Sequence, residues 1–207
     1  MANKKNQAAD INTRERIQQA ANRLFNEKGY EKTSITMICE AAGVSKTTLH
    51  YYFPKKQDLM YDMKNYFEDI YNKNLYRVFA KETFVLQIWE LYQIMCEGDI
   101  YYGPKIVAQH FSQLLRDHEE RDYINKIYHR RILISLIQSA QREKQILNAC
   151  PPEEICNSMT YAARGLIVTW SIEDGSFDLV KRMKDTVELI LDPAPGFRIN
   201  ENSESSM

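Results

Sequence analysis

Glycine is scarce in this chain, seven residues in 207, and no glycine-rich phosphate loop is present. The HExxH pattern of zinc hydrolases and the GxSxG elbow of serine hydrolases are also missing. His50, His110, His118 and His129 lack Cys or carboxylate partners at metal-ligand spacing. Neither a metal nor a cofactor is expected, and an enzymatic role has no supporting constellation. The four cysteines, Cys39, Cys96, Cys150 and Cys156, are scattered, and the C-x5-C pair has no histidine nearby. Free thiols in a reducing compartment are the expectation. No apolar run reaches membrane-spanning length: Ile132-Leu133-Ile134 is soon interrupted, and Arg164 breaks the stretch from Tyr161 to Trp170. The N-terminal MANKKNQAADINT has basic residues but no apolar segment after them, so no signal peptide is read and a cytoplasmic location is expected. Strand-type alternation and internal repeats are missing too, which leaves an all-α chain.

What is present is unevenly distributed. Formal net charge is -1, yet residues 1–56 carry ten basic and five acidic groups, leaving an acidic remainder. A basic head on an acidic body suits local phosphate binding. In the head, Ile17, Ala20, Ala21, Leu24 and Phe25 fall on one face of a helix that Gly29 stops, and either Asn12, in a capping box with Glu15, or Thr13 is expected to cap its start. A short helix with Ile35 and Ile38 then ends at Gly43, where a residue without a Cβ is needed. Val44 fills the angle, and Ser45 caps a second short helix running to about Tyr51. That is a helix-turn-helix, whose second helix is the one expected in a DNA major groove.

The run Ala42-Gly43-Val44-Ser45-Lys46-Thr47-Thr48-Leu49-His50-Tyr51-Tyr52-Phe53 is more specific than a generic helix-turn-helix. With Thr13-Arg14-Glu15-Arg16-Ile17 and Leu24-Phe25-Asn26-Glu27-Lys28-Gly29-Tyr30 upstream, it resembles the DNA-binding domain of the TetR family of bacterial transcription regulators, over roughly residues 12–60. The resemblance implies that Ser45, Lys46, Thr47, Thr48, His50, Tyr51 and Tyr52 supply DNA contacts. By chemistry, Lys46 can reach guanine or phosphate, Thr47 and Thr48 can serve either, and Tyr51 and Tyr52 can offer hydroxyls to phosphate. Lys55 and Lys56 follow at a helix start, while Ser34 and Thr36 are further phosphate candidates. Leu49 and Phe53 are assigned to the core. His50 departs from the tyrosine most often found at its place in the motif.

The expected layout is a disordered basic arm over 1–11, a helix-turn-helix domain over 12–56, a helical effector-binding and dimerisation domain over 57–192, and a disordered tail over 193–207. Pro54 suits the first turn of a long helix from about Lys55 to Phe79. Further helices are read over Phe84–Glu97, ended near Gly98, over Lys105 to about Arg116, from about Arg121 to Ile146, from Pro152 to about Ile172, and from Phe177 to about Leu191. The resemblance places subunit pairing on the last two, where Met159, Ala162, Ala163, Leu166, Trp170, Val180, Met183, Val187 and Ile190 make apolar stripes. It places an effector pocket in the aromatic middle, with Trp89, Tyr92, Met95, His110, Phe111, Tyr128 and Tyr161 as candidates. Core packing within the subunit is the competing reading for all of them. The function read from the sequence is a ligand-responsive repressor that binds a near-palindromic operator as a homodimer. The alternative is a co-activator or scaffold of the same fold acting mainly through a protein partner.

Overall fold

In the computed structural model the described residues are 2–59, 72–116 and 129–199, with side chains described from Asn12 onward except at 113 and 116. They form helices α1 (Ala2–Lys28), α2 (Ile35–Ala42), α3 (Lys46–Tyr52), α4 (residues 72–79), α5 (Phe84–Tyr102), α6 (Pro104–Arg116), α7 (Arg130–Arg142), α8 (Pro152–Ile172) and α9 (Leu179–Leu191). Among them the only β pairing is the isolated bridge between Ile146 and Pro193. The fold is all-α, with an N-terminal helix-turn-helix head and a helical body.

Several helix limits differ from those read in the sequence, each for a local reason. α1 is helical from Ala2, so the segment expected as a disordered arm continues the helix and the Asn12–Glu15 capping box goes unused. No glycine or proline interrupts residues 1–28. α5 runs through the buried Gly98 and stops at Gly103, whose φ of 83° lies in the region that favours glycine. α7 ends at Arg142, earlier than expected, because Lys144 turns left-handed (φ 54°) and Ile146 is drawn into the bridge with Pro193. The part of the expected Arg121–Ile146 helix over 121–128 lies outside the described residues, as do 60–71 of the expected Lys55–Phe79 helix. α9 starts at Leu179, where the Asp178 carboxylate caps the Lys181 N–H at 3.0 Å. The segment expected as a disordered tail is packed as far as Ile199: Ala194 N–H donates to Gln145 O, Ile199 N–H donates to Glu188 Oε1 at 2.7 Å, and the Ile199 side chain is buried.

The head and body meet along α1, which packs against α2 on one side and α6 on another. Gln18 Nε2 donates to Leu59 O at 2.7 Å, and Asn26 Nδ2 donates to Tyr102 O. Lys105 Nζ donates to Asn26 O at 2.7 Å. A side chain at Gly103 would collide with Asn26, so the α5–α6 corner closes on α1 only because that residue has no Cβ. In the body, α5 is flanked by α6, α7 and α9, and α8 also packs on α6, α7 and α9. The end of α4 is tied to α5 by charge. Arg77 Nε lies 2.7 Å from Glu90 Oε1, its two NH groups donate to the Glu97 carboxylate at 2.7 and 2.8 Å, and Lys81 Nζ lies 3.1 Å from Glu90 Oε2. These bonds hold the Glu97 carboxyl below the usual range and raise the Arg77 guanidinium above its own.

Candidate nucleic-acid interface

The head is built so that one face of a short helix stands clear of its core. Ile17, Ala21, Phe25, Ile38, Leu49, Phe53 and Leu59 are buried together. Each large side chain so buried contributes about 1.5–3 kcal/mol. The turn follows from two caps. Gly43, at φ 63°, ends α2, with Val44 N–H donating to Cys39 O at 3.0 Å, and half-buried Val44 packs against the core. Ser45 then opens α3: its Oγ accepts from Thr48 N–H at 3.0 Å and lies 2.8 Å from Thr48 Oγ1. With Leu49 and Phe53 fixed inward at i and i+4, the opposite side of α3 must face solvent.

That outward side carries most of the expected DNA residues. Lys46, Thr47, His50 and Tyr51 are exposed, Tyr51 to 76%. An exposure so large for a tyrosine in a helix beside a formed core is what a groove-facing ring requires. Tyr52 is half-buried and packs against the core, its ring edge-on to that of Tyr51 at 4.9 Å. His50 Nδ1 lies 3.1 Å from Pro54 O. Ser34 caps α2, its Oγ accepting from Met37 N–H at 3.2 Å, and Thr36 is exposed on that helix's first turn. Lys55 is exposed, and its N–H donates to Asp58 Oδ2 at 2.6 Å. Lys56 is placed differently from the expectation. Its amino group donates to Tyr30 O and sits 4.0 Å from the centre of the Tyr30 ring. Burial lowers its pKa, the neighbouring Glu31 opposing. It braces the end of α1 and is not a free cation for phosphate. Arg14, over the Phe53 ring at 5.2 Å, is a second such contact that reasoning from the motif missed.

Residues 17–63 match the family model of bacterial regulatory proteins, tetR family. The HTH-type transcriptional regulator AcrR of Shigella flexneri is 26% identical over 93% of both chains. Residues 17–63 are thus a DNA-binding domain of the TetR family of regulators. Among solved structures, it is similar to the Thermus thermophilus repressor FadR in complex with lauroyl-CoA, at TM-score 0.57 and 21% identity, covering 88% of this chain and 99% of that one. A putative regulator from Saccharomonospora viridis in complex with choline aligns at TM-score 0.63 and 18% identity, covering 86% and 95%. At these identities the likeness speaks for the fold.

The body residues expected at a pocket and at a subunit interface are sorted by their burial. Trp89 and Tyr92 are buried on α5, and Met95, His110 and Phe111 are half-buried, the last two with rings 5.9 Å apart. Tyr128 lies outside the described residues. Tyr161, expected in the pocket, is 57% exposed on the outer side of α8 and lines nothing internal. The register of α8 explains this: Met159, Thr160, Ala163 and Ile167 take the inward positions and turn Tyr161 out. Of the expected interface residues, Met159, Ala163, Trp170, Met183 and Val187 belong to the subunit's own core. Ala162, Leu166, Val180 and Ile190 are half-buried. The apolar stripes on α8 and α9 were therefore legible, but most of each stripe faces inward.

Proposed function

We propose that this chain is a ligand-responsive repressor of the TetR family that binds a near-palindromic operator as a homodimer, in the cytoplasm. The observation that carries the reading is the outward face of α3, where Lys46, Thr47, His50 and Tyr51 stand exposed above a fixed core. Lys46 reads guanine or phosphate at the helix start, and Tyr51 lays its ring along the sugar-phosphate chain. Lys55 adds a phosphate contact, as do Ser34 and Thr36 at the start of α2. A single head binds weakly, and two heads must meet half-sites roughly 34–36 Å apart or a multiple of that.

Pairing falls to the outer face of α8 and α9. Tyr161, Ile172 and Leu189 are 57%, 76% and 82% exposed there. A Cβ at the exposed Gly165 would meet nothing within 4 Å, so another helix can approach. Half-buried Ala162, Leu166, Val180 and Ile190 flank this face. An isologous C2 contact through it gives the symmetry that a near-palindrome mirrors. A small molecule in the body, bordered by Trp89, Tyr92, Met95, His110 and Phe111, favours a state whose heads no longer fit. Such coupling is typically about 1–3 kcal/mol, and the operator weakens the ligand by the same factor. The solved relatives carry lauroyl-CoA in one case and choline in the other, so the fold does not select the ligand's chemistry.

The test is a gel shift on DNA from the region upstream of the protein's own coding sequence, across a salt series. Saturable binding to one near-palindromic site, with affinity falling steeply as salt rises, supports the reading. Weak binding indifferent to sequence, together with recovery of a stoichiometric protein partner, transfers support to the scaffold alternative. Tyr161→Glu with Leu189→Glu should give a folded monomer by sedimentation. A dimer that persists would remove the outer face of α8 and α9 from the interface.

A further inference from the structure

Lys46, Thr47, His50 and Tyr51 stand exposed on α3, and they differ in how they depend on protons. An ammonium, a hydroxyl and a phenol can each donate a hydrogen bond across the physiological range. An imidazole gains or loses a donor within that range. The fold fixes which of its two nitrogens changes. His50 Nδ1 lies 3.1 Å from Pro54 O. A peptide carbonyl only accepts, so Nδ1 carries a hydrogen in both charge states of the ring. The variable atom is therefore Nε2, which makes no hydrogen bond or ion pair among the described residues. Neutral, Nε2 is a bare acceptor that a phosphate oxygen repels. Protonated, it is a charged donor that a phosphate oxygen attracts.

The carbonyl that holds the ring is itself set by the end of α3. Phe53 N–H closes on Leu49 O at 2.8 Å, the Phe53 ring is buried, and its extended backbone is the conformation a following proline favours. Pro54 O then lies one helical turn beyond His50, and no backbone N–H among the described residues donates to it. In a helix-turn-helix the first residues of the reading helix meet base edges. His50 sits in the last turn of α3, four residues after Lys46 and beside the turn that carries exposed Lys55. At that end the helix runs out of the groove toward the sugar-phosphate chain. The titratable groups on the packed elements are Lys46, Tyr51 and Tyr52 on α3, Cys39 and Glu40 on α2, Arg14 on α1, and Lys55, Lys56 and Asp58 on the following turn. Asp58 accepts from Lys55 N–H, Lys56 donates to Tyr30 O, and Arg14 lies over the Phe53 ring, so each of these three is engaged elsewhere.

We propose that His50 makes operator binding depend on pH: its imidazolium donates from Nε2 to a phosphate oxygen, and each head takes up as much as one proton from solvent as it docks. Affinity therefore rises as pH falls from 8 to 6. The proposal rests on the operator-binding reading given above and adds a regulator of that same face. A tyrosine, the residue most often found at this place in the motif, would offer the phosphate a donor at any pH below about 10. Histidine makes the same contact conditional.

The experiment is fluorescence anisotropy of the full-length protein with the DNA region upstream of its own coding sequence, labelled with a dye insensitive to pH. It is run at pH 8 and pH 6 across a salt series. The native protein should bind about tenfold or more tightly at pH 6, and log affinity should fall with log salt more steeply there, by about one unit per head. His50→Gln places at this position an amide whose character no proton alters, and His50→Tyr places a hydroxyl there. In both, affinity at the two pH values should agree within twofold and the two salt slopes should coincide. A smaller rise in the native protein, or a rise that survives in either variant, overturns the proposal and leaves the operator reading standing. Absence of saturable binding at both pH values overturns the operator reading and the proposal together.

Discussion

In the head, the polar side chains at helix starts are occupied with the chain's own backbone: Ser34 caps α2, Ser45 caps α3, and Asp58 accepts from Lys55 N–H. In the body, α5 carries one buried carboxyl balanced by two cations and another balanced by none. A head that must present a rigid face to a groove gains from local, short-range satisfaction, because each cap fixes a helix end without reference to the rest of the fold. In the body, α5 instead draws cations from beyond its own sequence to one buried carboxyl and leaves an oxygen of the other without a partner among the described residues. The difference between the two regions lies in where polar groups find their partners, since both bury apolar residues in the same way.

The sharpest way to break the comparison is to strip the head's exposed face without touching its core. Replacing Lys46 and Tyr51 together with Ala should lower operator affinity a hundredfold or more, each good contact being worth about 1–3 kcal/mol. Sedimentation and melting should be unchanged, since both side chains are exposed. Gel shift decides it; specific binding that persists means α3 is not the reading helix. On the other side of the same helix, Leu49 is fully buried, and Leu49→Ala should cost about 3 kcal/mol of stability by urea melting. A loss under 1 kcal/mol would mean that the head's core is not the one described.

Within α5 the two carboxyls give a matched pair of tests. Arg77→Ala leaves Glu90 buried with Lys81 alone. The expected loss is about 2 kcal/mol, below the usual cost of breaking a buried pair because Arg77 is itself 27% exposed. Asp99 is tested through pH. Its folded pKa of about 8 exceeds its ordinary value of 3.8, so between those limits the folded state holds a proton that the unfolded state has lost. Stability therefore falls as pH rises through this window. His129 acts in the opposite sense: burial lowers its pKa to about 4, so its contribution falls as pH drops below 6.5. Between pH 6.5 and 8 only Asp99 of the two contributes, and the native protein should lose about 1–2 kcal/mol across it relative to Asp99→Asn. Parallel stability curves for the two proteins would place Asp99 in a better-solvated site than its 4% exposure indicates.

How much of this was legible in the sequence follows from the same contrast. The helix-turn-helix could be read because its determinants are local: Gly43 needs its left-handed φ, Ser45 its N–H to cap, and Leu49 and Phe53 their spacing of four. The all-α class and the helix over Pro152–Ile172 came from prolines and periodicity, which are local too. Two of the failures required partners distant in sequence: Lys56 turns to Tyr30, and Ile146 leaves its helix for Pro193. Tyr161 was misplaced on its own helix's register, where Met159 and Ala163 take the inward positions. Asp99 could not be picked out among the acidic residues, since its lack of a partner exists only once α5 is packed.

The smallest effect tests whether the head's polar groups act as locally as described. Ser45→Ala removes the acceptor for Thr48 N–H and should cost about 1 kcal/mol, whereas Ser45→Asp should restore most of it. Thr48→Val keeps the cap and deletes only the hydroxyl 2.8 Å from Ser45 Oγ, an exposed bond whose loss should cost less than the cap. If both hydroxyls serve the helix start alone, operator affinity should track stability across the three variants, and Ser45→Asp should bind nearly as well as the native protein once repulsion from phosphate is reduced by added salt. A Thr48→Val variant that melts normally but binds DNA tenfold more weakly would give that hydroxyl a second partner on the operator.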